Sequence, residues 1–211
     1  MEIIKLTPCS PSRYFDDVAL LHINEIHHGV IPLFGKKFLA CLYCELSRTK
    51  FTGVWAALDQ DNISGFIAGC ADIKSSYRAV LLRPVLIMAA LRSVCFTFPR
   101  LAGKLLAVLK YPYMPARGKA DGSDLNKIKA ELLSIAVRPD YRKQGIGGML
   151  VKAFEKQLAL WNVAGCYRVS TNETDDISNN FYKTLGFAPV TTTRLHALNL
   201  TVYVKNISAC A

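Results

Sequence analysis

Apolar positions along the chain recur at two different spacings, and the changes of spacing divide it into elements. Residues 2–6 read as a short strand. Ser10-Pro11-Ser12 then offers an N-cap serine and a first-turn proline. From 14 to 28, Phe15, Val18, Leu21, Ile23 and Ile26 fall at helical spacing, and 34–46 repeats the pattern with Phe38, Leu39, Leu42 and Leu46. Two strands, 54–58 and 63–71, flank Asp59-Gln60-Asp61-Asn62, turn chemistry that makes them a hairpin.

Residues 75–128 differ in texture, with apolar stretches cut by single basic residues. They read as two basic, amphipathic helices and a polar loop over 116–126. Beyond them, 129–137 is a strand whose alternation sets Glu131, Leu133, Ile135 and Val137 on one face. Arg138-Pro139-Asp140 breaks it, and Gly145-Ile146-Gly147-Gly148 opens a helix carrying Leu150, Val151, Phe154 and Leu158. A strand over 167–171, a helix over 175–185 closed by Gly186, and strands over 187–193 and 198–205 complete the chain. The order β-α-α-β-β, insertion, β-α-β-α-β-β predicts an α/β fold, a mixed sheet with helices on both faces. It suits one domain over 1–211 with an insertion at about 75–127.

Composition sharpens this. Hydrophobic residues are 51% and charged ones 20% of 211, enough apolar surface to exclude a disordered chain. The formal charge is +10, and residues 74–129 hold eleven Lys or Arg against two Asp, so one segment carries +9 of it. An anionic partner is expected. Nucleic acid is not, because its footprint would spread the charge or interleave it with stacking aromatics. The longest charge-free run in the insertion is eight residues, against the roughly 20 of a membrane span. Seven Cys, an odd number, and the absence of a secretory apolar run after Met1 lead us to expect a reducing, cytoplasmic setting. Cys41-Leu42-Tyr43-Cys44 spells CxxC inside an apolar helix with no second pair or spaced His, which favours packing over metal binding.

The strongest chemical signal is Arg142-Lys143-Gln144-Gly145-Ile146-Gly147-Gly148, between a strand and a helix. Glycines there turn the backbone tightly and present N–H groups at a helix N-terminus, an anion cradle. It lacks the first glycine of a dinucleotide fingerprint and the Gly-Lys-Ser/Thr of a P-loop. Val137-x4-Arg142-x2-Gly145-x-Gly147 resembles the pyrophosphate-binding signature of the GNAT superfamily of acetyl-CoA-dependent N-acetyltransferases. Tyr182-x3-Gly186-Phe187 resembles the superfamily's second signature, and Gly35-x2-Phe38-Leu39-x3-Tyr43 is similar to a pattern in its small-molecule enzymes.

The resemblance implies a splayed sheet with the basic helical insertion between strands 3 and 4, and acetyl-CoA as co-substrate with no metal. It implies that the backbone of Ile135, Ala136 and Val137 pairs with the pantetheine. Arg142, Lys143, Gln144, Gly145, Ile146, Gly147 and Gly148 would hold the pyrophosphate, and Asn179 would touch the cofactor. Glu131 resembles a general base and Tyr182 the acid that protonates the leaving thiolate. The expected activity is acetyl transfer to a primary amine of a small molecule, such as an amino sugar or other anionic metabolite. Two alternatives stand beside it: acetylation of proteins or peptides, and a non-catalytic coenzyme A-binding module. The insertion is expected to serve as a lid, a homodimer contact, or a peripheral contact of 78–115 with the inner face of the membrane. His27-His28 sits near the acceptor side, while His22 and His196 read as packing or surface residues.

Overall fold

The computed structural model describes residues 1–26, 31–97, 125, 127–195 and 198–207. In chain order the elements are β1 (Glu2–Leu6), α1 (Ser12–Glu25), α2 (Gly35–Arg48), β2 (Thr52–Asp59), β3 (Asn62–Cys70), α3 (Ile73–Leu81) and α4 (Pro84–Thr97). They continue with β4 (Glu131–Val137), α5 (Ile146–Leu160), β5 (Cys166–Asn172), α6 (Asp176–Thr184), β6 (Ala188–Leu195) and β7 (Leu198–Asn206). The strands form one sheet in the order β1-β2-β3-β4-β5-β7-β6. Every neighbouring pair is antiparallel except β4 with β5. This is the mixed α/β architecture that the periodicity predicts.

The sheet is covered on both faces, which explains why β2 and β3 are apolar at successive positions instead of alternating. Val54, Ala56 and Phe66 pack with Val18, Leu39 and Tyr43 under α1 and α2. Trp55, Ala57 and Ile67 pack with Leu150, Phe154 and Tyr167 under α5. Burying these aliphatic and aromatic side chains contributes about 1.5–3 kcal/mol each. Cys41 and Cys44 lie on α2, half-buried against the first of these clusters.

Two expectations change at the level of single elements. Ser10 does not cap α1: Pro11 stands at the cap, and Ser10 Oγ instead accepts from Thr7 N at 2.9 Å, closing the turn ahead of the helix. α3 fits its amphipathic reading, with Asp72 Oδ1 accepting from the amides of Lys74 and Ser75 at 2.9 and 3.1 Å. α4 does not. No polar residue interrupts 84–91, so only the Leu86–Ala90 stripe is buried, while Val85, Ile87 and Met88 stay exposed. The polar loop at 116–126, apart from Leu125, and His27, His28 and His196 lie outside the described residues. Among the described residues no helix is long and apolar enough to cross a membrane.

Candidate active site

β4 and β5 start side by side and then part. Their one register pair is Glu131 with Arg168, after which β5 follows β7 to Asn172 and β4 follows β3 to Val137. The β5-facing edge of Ile135, Ala136 and Val137 is therefore left open to pair with an extended ligand, as an added strand would.

A bulge fixes which β4 side chains face which way. Ala68 opposes Ser134 and Gly69 opposes Leu132, so Leu133 is an extra residue and the alternation reverses. Ala130 and Leu132 before it, and Ile135 and Val137 after it, all pack with the α5 cluster. Leu133 and Ala136 pack with the α1–α2 cluster. Glu131 and Ser134 thus belong to the α1–α2 side. The common face expected for Glu131, Leu133, Ile135 and Val137 does not form, because a period of two does not survive a bulge.

Glu131 is buried, and Arg168 grips it: Nε and Nη2 both donate to Oε2, at 2.9 and 2.8 Å. Burial and the nearby Glu131 carboxylate push the Cys70 thiol and the Tyr77 phenol above their ordinary range. Tyr182 is buried on α6 among Phe181, Phe187 and Tyr203, with ring centroids at 5.3, 5.3 and 5.9 Å. Burial first, and then the Asp175 carboxylate, push its phenol up. The hydroxyl stays protonated, as a proton donor requires.

Asn179 is engaged inside the chain. Its Nδ2 donates to the carbonyls of Asn172, Glu173 and Asp175 at 3.0, 3.1 and 2.7 Å, and its Oδ1 accepts from the Tyr203 hydroxyl at 2.9 Å. These bonds make Asn179 a brace between the end of β5 and the start of α6.

The glycine-rich loop follows β4 directly. Gly145, at φ +80°, caps α5 with no side chain, and Lys143 also has positive φ. The first-turn amides of Ile146, Gly147 and Gly148 have no helical carbonyl to bond, which makes this terminus attractive to an anion. Arg142 shapes the loop: its Nε donates to Val137 O at 3.2 Å and its Nη2 pairs with Glu25 at the end of α1. Gln144 Nε2 donates to Asp140 O at 3.1 Å. Gly147 has a second reason to be glycine, since a Cβ there would lie 2.7 Å from the Phe181 ring. It lets α5 approach α6, so bulk at 147 meets Phe181. A hollow of about 750 Å³ lined by Leu125, Ile128, Gly165 and Val204 lies at the opposite ends of β4 and β5 and touches none of these groups.

Sequence reasoning missed a buried line on the α1–α2 side. His22 Nδ1 and the Tyr43 hydroxyl share a hydrogen bond, and Tyr43 bonds Ser134 Oγ at 3.0 Å. Ser134, the one hydroxyl in β4, was the available signal. Burial drives the His22 imidazole down to about 4 from 6.5. The unfolded imidazole thus takes up its proton at a higher pH than the folded one, and stability present above pH 6.5 drains away towards pH 4. The loss amounts to about 3 kcal/mol. Thermal melts between pH 7 and 4.5 should show this decline, with a shallower slope in His22→Gln; equal slopes would exclude His22 as its source.

An antiparallel sheet with one parallel, splayed junction, beside a glycine-rich helix start, defines a coenzyme A-type acyltransferase fold. The family model described as "Acetyltransferase (GNAT) family" matches residues 25–187. The chain belongs to that family: it is an N-acetyltransferase acting on amines, and its donor is acetyl-CoA. The structure is similar to the ribosomal-protein-S18-alanine N-acetyltransferase from Escherichia coli (TM-score 0.57, 13% identity, covering 100% of this chain and 96% of that one). It is also similar to an aminoglycoside 6'-acetyltransferase type Ii (0.59, 17%, 99% and 98%). A third likeness is to Ard1 from Thermoplasma volcanium (0.57, 14%, 98% and 97%). At these identities the likeness shows the fold. No curated protein matches the chain.

Proposed function

We propose that this single-domain chain transfers acetyl directly from acetyl-CoA to a primary amine of a small molecule. The observation that carries the reading is the open edge of Ile135–Val137 running into an uncapped helix start at Gly145. Pantetheine fits the first and pyrophosphate the second. The amine nitrogen attacks the thioester carbon, the new C–N bond forms and the C–S bond breaks. Glu131, on the α1–α2 side, draws the ammonium proton through a water, and the Tyr182 hydroxyl protonates the departing thiolate. Asn179 acts behind them by holding β5 to α6. The net charge of +10 suits an anionic acceptor such as a phosphorylated or nucleotide-linked amino sugar.

Release of free thiol from acetyl-CoA, measured with amino sugars, polyamines and peptides, tests the reading. Turnover with a small amine supports it. Turnover with peptides alone would replace it by protein acetylation, and binding without turnover would make the chain a coenzyme A module. Donor binding has its own check in Gly145→Val. A β-branched residue cannot hold φ +80° without strain, although nothing lies within 4 Å of the site. Acetyl-CoA affinity by calorimetry should fall at least about tenfold, about 1.4 kcal/mol, with the circular dichroism spectrum unchanged. Unchanged affinity would remove the loop from the donor site.

A further inference from the structure

We propose that the corner formed by α3 and α4 is a docking surface for an anionic lipid bilayer. α4 is apolar almost all round over its first two turns, yet among its described side chains one stripe, Leu86, Ala89 and Ala90, is packed against the domain. A surface helix ordinarily turns polar residues outward. Here Val85, Ile87 and Met88 stand there, 61%, 43% and 53% exposed, with Leu82 at 63% on the turn before them. α3 brings charge to the same corner. Lys74 and Arg78 are exposed four residues apart, and Leu82 continues their row at the same spacing.

Three kinds of partner could cover such a corner, and charge separates them. A second copy would set Lys74 and Arg78 of one corner against those of the other, a repulsion that an aliphatic contact of this size would have to overcome. A nucleic acid would match the charge but offers nothing to four aliphatic side chains, and among the described residues no exposed aromatic ring stands beside them to stack on bases. A bilayer with anionic headgroups accepts both: the aliphatic groups enter the boundary between headgroups and acyl chains, and Lys74 and Arg78 meet the phosphates. The contact is peripheral, since α4 is 14 residues long and a span takes roughly 20.

Co-sedimentation of the full chain with vesicles tests this, comparing phosphatidylcholine alone with a three-to-one mixture of phosphatidylcholine and phosphatidylglycerol (about 25% anionic lipid). Binding should require the anionic lipid and weaken as sodium chloride rises. Val85→Glu/Met88→Glu, which removes only exposed apolar groups, should lower the partition coefficient at least about tenfold. Lys74→Glu/Arg78→Glu should lower it at low salt and converge with the unaltered chain at high salt. Acetyl-CoA binding, retained in both variants, shows that each is folded. Absence of wild-type sedimentation at low salt would overturn the proposal, as would variants that sediment like wild type. So would a wild-type dimer in solution that the Val85→Glu/Met88→Glu variant abolishes, which would give the surface to a second copy.

Discussion

Tyr182→Phe should turn over about a hundred- to a thousandfold more slowly than the unaltered chain, with acetyl-CoA affinity held within about threefold. The change removes one hydroxyl and keeps the ring among Phe181, Phe187 and Tyr203 that holds α6 to the sheet. Donor binding is assigned to β4 and the 142–148 loop, neither of which loses an atom. The hydroxyl matters only once the C–S bond is breaking and negative charge gathers on sulfur. A phenol, protonated at neutral pH, can give its proton at that moment and recover one from solvent afterwards. Equal losses of turnover and of donor binding would make Tyr182 a packing residue. Unchanged turnover would move the acid elsewhere.

The parts of this molecule that could be read from the chain are those where local pattern and tertiary structure ask for the same residue. β1, α1, α2, the β2–β3 hairpin, α5 and α6 each announce themselves by period and punctuation, and so does the Gly145 turn, where only a residue tolerant of positive φ will do. The face of Glu131 could not be read this way, because one extra residue, Leu133, reverses every side chain beyond it and leaves no mark in the alternation. The pairing of Glu131 with Arg168 joins two strands 37 residues apart. The His22–Tyr43–Ser134 line joins three elements, and its members read singly as a core histidine, a helix aromatic and a strand hydroxyl. The bonds of Asn179 to three carbonyls and a tyrosine hydroxyl likewise join β5, α6 and β7, which no local pattern announces. α4 departs from its amphipathic reading because its first eight residues, 84–91, carry no polar side chain to turn outward.

Arg168→Met should be the most destabilising of the site variants, by about 3–5 kcal/mol, because it removes the cation that compensates a buried carboxylate. Two guanidinium bonds fall on one oxygen of Glu131, and its side chain is buried. Glu131→Gln keeps the shape and removes the charge, so it should cost less. The double variant Glu131→Gln/Arg168→Met should regain most of the stability, since neither charge is then left alone. Activity separates the two roles that Glu131 could have. As a base it would be missed most near pH 7, where an alkyl amine of pKa about 10 is still protonated, and least at alkaline pH, where the free amine needs no help. Glu131→Gln and the double variant should then share a rate deficit of about a hundredfold at pH 7 that closes towards pH 10. A double variant that recovers both its melting temperature and its neutral-pH rate would show that the pair serves only to join β4 to β5. The proton would then have to leave the amine by another route, and the hydroxyl of Ser134, on the same side of the strand, would be the next to change.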